Sequence, residues 1–165
     1  MDLARGHVQQ VMNRKDILRA FDSAIREWGF TARGKNYSRG WPELTWFVKA
    51  ELIPRTARVG LQAGIALEVL TGEGSRPSNV MDCQIMLIPT GHPFGLDRRE
   101  SEDALDEESG FSDEQRLEQL FKIVEAIDRV SREVTTLSEL RTMAAEGRIF
   151  GRGQVLPAAA ALLSV

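Results

Sequence analysis

Two neighbouring stretches constrain this chain more than anything else in it: "LTWFVKAELI" at 44–53 and "RVGLQAGIALEVL" at 58–70, separated only by "PRTA". In the first, Leu44, Trp46, Val48, Ala50 and Leu52 alternate with Thr45, Phe47, Lys49 and Glu51. In the second, Val59, Leu61, Ala63, Ile65, Leu67 and Val69 alternate with Arg58, Gly60, Gln62, Gly64, Ala66 and Glu68. Period-two alternation is the pattern of a strand with one buried and one wet face. A connection as short as "PRTA" cannot carry a parallel crossover, so the two strands must be antiparallel. A third strand is expected in "VMDCQIMLI", 80–88, with Met81, Cys83, Ile85 and Leu87 facing one way, after a hairpin loop rich in turn residues at "TGEGSRPS". A shorter strand around "KNYSR" precedes all three, joined through "GWPE".

An antiparallel sheet with one apolar face needs a second layer, and helical segments on either side supply it. Asn13 can cap a helix in which Ile17, Phe21, Ala24, Ile25 and Trp28 recur at three- and four-residue spacing. Asp16 lies in its first turn, and Gly29 is a left-handed stop that lets Phe30 reach back onto Ile25. Downstream, Ser112 and Gln115 form a capping box for a helix whose expected apolar stripe is Leu117, Leu120, Phe121, Val124, Ile127 and Val130. Thr136 and Glu139 form another, with Leu137, Leu140, Met143 and Ala144 behind it and Gly147 as its stop. The apolar tail "VLPAAAALLSV", with Pro157 in a first helical turn, is expected to dock. Residues 89–111 read as a long loop, mobile over much of 97–111. The expected architecture is a two-layer α+β sandwich: an N-terminal helix, a three- to four-stranded antiparallel sheet and two to three C-terminal helices. Residues 12–165 form a single domain in this scheme, and residues 1–11 a disordered leader, with Met12 a candidate start.

Composition narrows the class. With 165 residues, 42% hydrophobic and 27% charged, the chain has the make-up of one globular domain. No apolar run reaches the roughly 18 residues of a membrane helix, and "MDLARGHVQQ" has no signal-peptide core. The single cysteine excludes an internal disulfide and a cysteine-rich zinc site. A cytoplasmic location is expected. Charge is uneven: residues 1–60 hold 11 Lys/Arg and 6 Asp/Glu, whereas 97–128 hold 4 and 12. Such asymmetry bears on association rather than on fold.

No phosphate-binding glycine loop, zinc-protease motif or serine elbow occurs. His92 in "GHPFG", with Asp97 and Glu100 nearby, is too thin a set for a metal site. Cys83 alternates with core residues and reads as a buried, inert thiol. No cofactor, metal or catalytic residue is expected. Two charged groups are candidates for binding instead. The acidic one is Asp97, Glu100, Glu102, Asp103, Asp106, Glu107 and Glu108, which suits a basic protein partner. The basic one is Arg33, Lys35, Tyr37 and Arg39, followed by Trp41. In an extended chain Arg33, Lys35, Tyr37 and Arg39 share one side, so they could hold a phosphate or a nucleic-acid backbone. They equally suit an edge strand guarded by charge against edge-to-edge pairing.

"RKDILRAFDSAIREWGFTARGKNYSR" also resembles the start of a bacterial family of domains of unknown function: an amphipathic helix ending in Gly29–Phe30, a basic cluster at Arg33–Lys35, then an aromatic, Tyr37, opening a strand. The later hairpins and "LSELRTMAAEGR" fit the same pattern over 12–148. The resemblance implies an α+β fold, a bacterial source and a role like that of immunity or antitoxin partners in toxin loci. The expected function is a non-enzymatic protein-binding domain, an immunity-like inhibitor of a toxin or effector. The alternative is an accessory nucleic-acid or nucleotide binder acting through 33–39. A membrane partner is not expected.

Overall fold

The computed structural model describes residues 11–71, 77–149 and 154–163. Helix α1, Arg14–Glu27, begins at a reciprocal capping box: Asn13 accepts from the amides of Lys15 and Asp16 at 2.9 and 3.0 Å, and Asp16 accepts from the Asn13 amide at 3.1 Å. It ends as expected. Gly29 sits at φ 90°, its amide donates to Arg26 O, and the Phe30 amide donates back to Ile25 O.

The sheet follows in plain meander order, β1 to β5 antiparallel throughout, with a two-residue β6 added beside β5. Its strands are β1 (Thr31–Arg33), β2 (Asn36–Gly40), β3 (Leu44–Leu52), β4 (Val59–Leu67), β5 (Ile85–Leu87) and β6 (Gln154–Val155). It thus exceeds the expected three to four strands. The extra ones are too short to show alternation. β1 exists because Gly34, at φ 60°, makes a two-residue turn with Lys35 that folds Thr31–Arg33 back onto β2.

Helices α1 and α3 (Asp113–Glu133) cover the face carrying Trp46, Val48, Leu61, Ala63, Ile65 and Leu67, all buried. α4 (Leu137–Ala145) and α5 (Pro157–Leu163) add Leu140, Met143, Ala159 and Leu163 to the same core. This is the α+β sandwich, and the tail does dock. Among the described residues, no helix is long and apolar enough to cross a membrane.

Three expectations need correction. The segment 97–111 is not a loop throughout: α2, Arg98–Ala104, is capped by the Asp97 carboxylate and packs on α3. The α3 stripe is rotated from the expected one. Ile123 joins Leu120, Val124, Ile127 and Val130 inside, while Leu117 and Phe121 are 40% and 53% exposed. The cause is polar: Arg116 and Gln119 point inward to bond α2, which an apolar count cannot foresee. The third strand is also shorter than read. Asn79 caps a 3-10 turn at Val80–Asp82, which leaves Met81 exposed and sends Cys83 to the opposite face of the sheet. There Cys83 sits over Gly64, where an added Cβ would lie 2.8 Å from its Cβ and Sγ. Phe47, Ala66, Val80 and Cys83 form a small second cluster on that face. Of the expected leader, residues 1–10 lie outside the described residues, and Val11 is exposed.

Candidate functional site

The basic stretch does not present one face. The turn at Gly34–Lys35 separates Arg33 from the residues that follow, and β2 then alternates between the two sides of the sheet. Tyr37 and Arg39 pair with Val48 and Trp46 of β3 and turn toward the helices. Tyr37 is buried, stands edge-on to Phe21 and donates to Asp22 at 2.7 Å. Burial first, and the Asp22 carboxylate second, push its phenol well above the usual tyrosine range.

Arg39 is a strut. Its guanidinium lies 4.1 Å over the Phe30 ring and donates to Asp128 Oδ1 and Ser131 Oγ, both at 2.7 Å, and to the Trp28 carbonyl at the end of α1. It thus satisfies an orphan helix carbonyl and ties β2 to α1 and α3 at once. Trp41 donates from its indole to Ser131 O at 2.9 Å. Lys35 and Lys49 both reach Glu51, at 3.6 and 3.0 Å, and the Lys49 hydrogen bond leads in holding that carboxyl below its ordinary range. Of the basic stretch, Arg33 alone points to the open face of the sheet as a cation with no carboxylate in ion-pair range among the described residues.

The acidic stretch is held together. The buried Arg116 guanidinium donates to the carbonyls of Asp103, Ala104 and Asp106 at 3.1, 2.8 and 2.8 Å, so one side chain collects the end of α2. Val59 N bonds Leu105 O at 2.9 Å, Glu107 N bonds Ala57 O at 3.0 Å, and Asp106 pairs with Arg58 at 3.1 Å. Glu107 accepts from the Arg14 amide at 2.6 Å, and Glu102 pairs with Arg98 at 2.6 Å. Asp97, Glu100 and Glu108 are exposed, while Asp103 is half-buried. Four of the seven acidic candidates therefore have structural duties: Asp97, Glu102, Asp106 and Glu107.

Sequence reading missed Arg116, whose position in a helix gives no sign that it turns inward. It also missed a groove of about 460 Å³ on the open sheet face. Strand register orders its floor in rows. Arg33 and Asn36 form one row, Thr31, Ser38 and Phe47 the next, and Gly40, Thr45 and Ala66 the third. Trp41 and Pro42 close one end, while Pro77 and Ser78 contribute a side wall. Among the described residues no group of three or more His, Cys, Asp or Glu side chains is placed to hold a metal ion. Burial pushes the Cys83 thiol up to about 12, with Asp82 adding to the shift, so at neutral pH it is not a thiolate nucleophile. No family model, no curated protein and no solved structure matches this chain.

Proposed function

We propose that this protein is a non-catalytic binding domain that recognises a basic protein through the acidic segment at 97–108, in the manner of an immunity-type inhibitor of a toxin or effector. The observation that carries the reading is the anchoring of that segment. Arg116 and the backbone bonds to Val59 and Ala57 hold its main chain, while Glu100 and Glu108 point outward. Charges on a pre-ordered platform lose little conformational freedom on docking, and complementary charge speeds encounter and selects the partner.

The test is affinity isolation from the source cells with wild type and with the Glu100→Gln/Glu108→Gln variant in parallel, followed by association kinetics with the recovered protein at low and high salt. The expected result is a basic partner whose association slows with salt and slows again, severalfold, in the variant. A partner that binds both forms at equal rates would overturn the assignment to this segment. An acidic partner, or salt-dependent binding to oligonucleotides abolished by Arg33→Glu, would replace it with the nucleic-acid reading.

A further inference from the structure

The groove on the open face lies across the sheet from the helices that carry the acidic segment, and its chemistry differs from theirs. Its volume, about 460 Å³, falls in the range of small-molecule sites. Its floor is a set of hydrogen-bonding groups on rigid strands: the hydroxyls of Thr31, Ser38 and Thr45, which sit on β1, β2 and β3 in adjoining rows. The groove has a polarity along its length. Arg33 stands beside Asn36 in the row at one end, while Lys49, next along that row, lies outside the lining. Glu68 lies at the other, beyond the Thr45–Ala66 pair and beside Trp41 and Pro42. Two strand residues separate successive rows, so the cationic row and the Thr45 row are about 13 Å apart.

The cationic end is the more available. Lys49 is engaged with Glu51, but the Arg33 fork has no such partner among the described residues. At the far end Trp41 is fixed by its bond to Ser131 O, so an aromatic wall stands ready without having to order. On the β4 side Val80 and Cys83 pack over Gly64, beside the floor residues Phe47 and Ala66, and bound the groove along that edge.

We propose that this groove binds a small phosphate monoester carried on a hydroxylated ring, with the phosphate at Arg33, the ring hydroxyls over Ser38 and Thr31, and the distal part of the ligand toward Trp41. A guanidinium fork matches a phosphate in shape as well as in charge. Hydroxyl side chains can both donate to and accept from sugar hydroxyls. Sugar phosphates and nucleoside monophosphates share this chemistry. The aromatic wall at the far end favours the nucleotide, whose base would reach it.

Isothermal titration of the full chain with AMP, ribose 5-phosphate, ribose and inorganic phosphate decides the matter, with Arg33→Gln and Ser38→Ala as variants. Arg33 is exposed and Ser38 half-buried on the open face, so both variants should fold, which circular dichroism verifies. The expected result is binding of AMP and ribose 5-phosphate, weakened about tenfold or more by Arg33→Gln and less by Ser38→Ala, with ribose much weaker. AMP binding more tightly than ribose 5-phosphate identifies the nucleotide as the source; equal affinities identify the sugar phosphate. No heat with either ester at millimolar concentration, or equal affinity in wild type and Arg33→Gln, would overturn the proposal. Either result leaves the protein-binding reading at 97–108 untouched, because that reading rests on the other side of the molecule.

Discussion

The basic stretch at 33–39 and the acidic stretch at 97–108 stand out equally in the sequence, yet the fold treats them oppositely. Strand β2 sends Tyr37 and Arg39 into contact with α1 and α3, while Lys35 is matched by Glu51. In the acidic stretch the main chain is fastened, and Glu100 and Glu108 remain outside. The difference is geometric. Alternate residues of a strand point to opposite faces, so a run of charges there must put some of them into the core layer. A short helix resting on one side leaves its other residues in water. Where the strand did turn an arginine inward, it meets a carboxylate, a hydroxyl, a helix-end carbonyl and an aromatic ring.

The contrast breaks most readily at Arg39. Replacing it with alanine leaves Asp128, 8% exposed, facing only Arg132. A loss of about 3 kcal/mol is expected, as for half of a buried ion pair. Arg33→Ala should fall within about 0.5 kcal/mol of wild type. Urea denaturation of both measures the gap, and equal stabilities would mean that the basic stretch acts as one surface cluster after all.

Arg116 sharpens the other side of the comparison. Arg116→Ala orphans the carbonyls of Ala104 and Asp106, so a cost of about 2 kcal/mol is expected. Amide exchange should quicken through 98–108 before the rest of the chain. Uniform exchange in the variant would show that the segment is held by something other than this side chain.

A smaller effect separates α3 from its sequence reading. With Phe121 53% exposed, Phe121→Ala should cost less than about 1 kcal/mol, where a core phenylalanine would cost about 3–5. A loss in the larger range would put the expected stripe back on the sheet.

The last effect is read in the pH dependence of stability. Tyr37 has its phenol raised in the folded chain, so the folded state holds that proton more tightly than the unfolded one. The stability this contributes is complete below the ordinary tyrosine value of about 10 and is lost as pH rises above it. Tyr37→Phe should flatten the stability curve between about pH 9 and 11, since phenylalanine has no proton to lose. Chemical denaturation across that range in both proteins checks the sign, and parallel curves would mean that Tyr37 is solvated rather than internal.

Much of the fold was legible because it rests on local rules. The Asn13, Ser112 and Thr136 caps, the Gly29 stop and the paired alternation of 44–52 and 59–67 each involve residues within a few positions of one another, or a period that only one structure satisfies. The antiparallel pairing of β2 with β3 and of β3 with β4 followed from connections too short for a crossover. What stayed hidden was every feature in which a polar residue serves a distant partner. Arg39 finds Asp128 across 89 positions, Arg116 turns inward for carbonyls of another helix, and Cys83 crosses the sheet because Gly64 leaves it room. The groove on the open face belongs to the same class, since Thr31, Ser38 and Thr45 become neighbours only through strand register. Periodicity reports which side of an element is apolar, and so it determined the layers. It carries no information about which charges will be matched inside and which left in water. That depends on partners brought together only when the chain closes, and tertiary structure alone decided it.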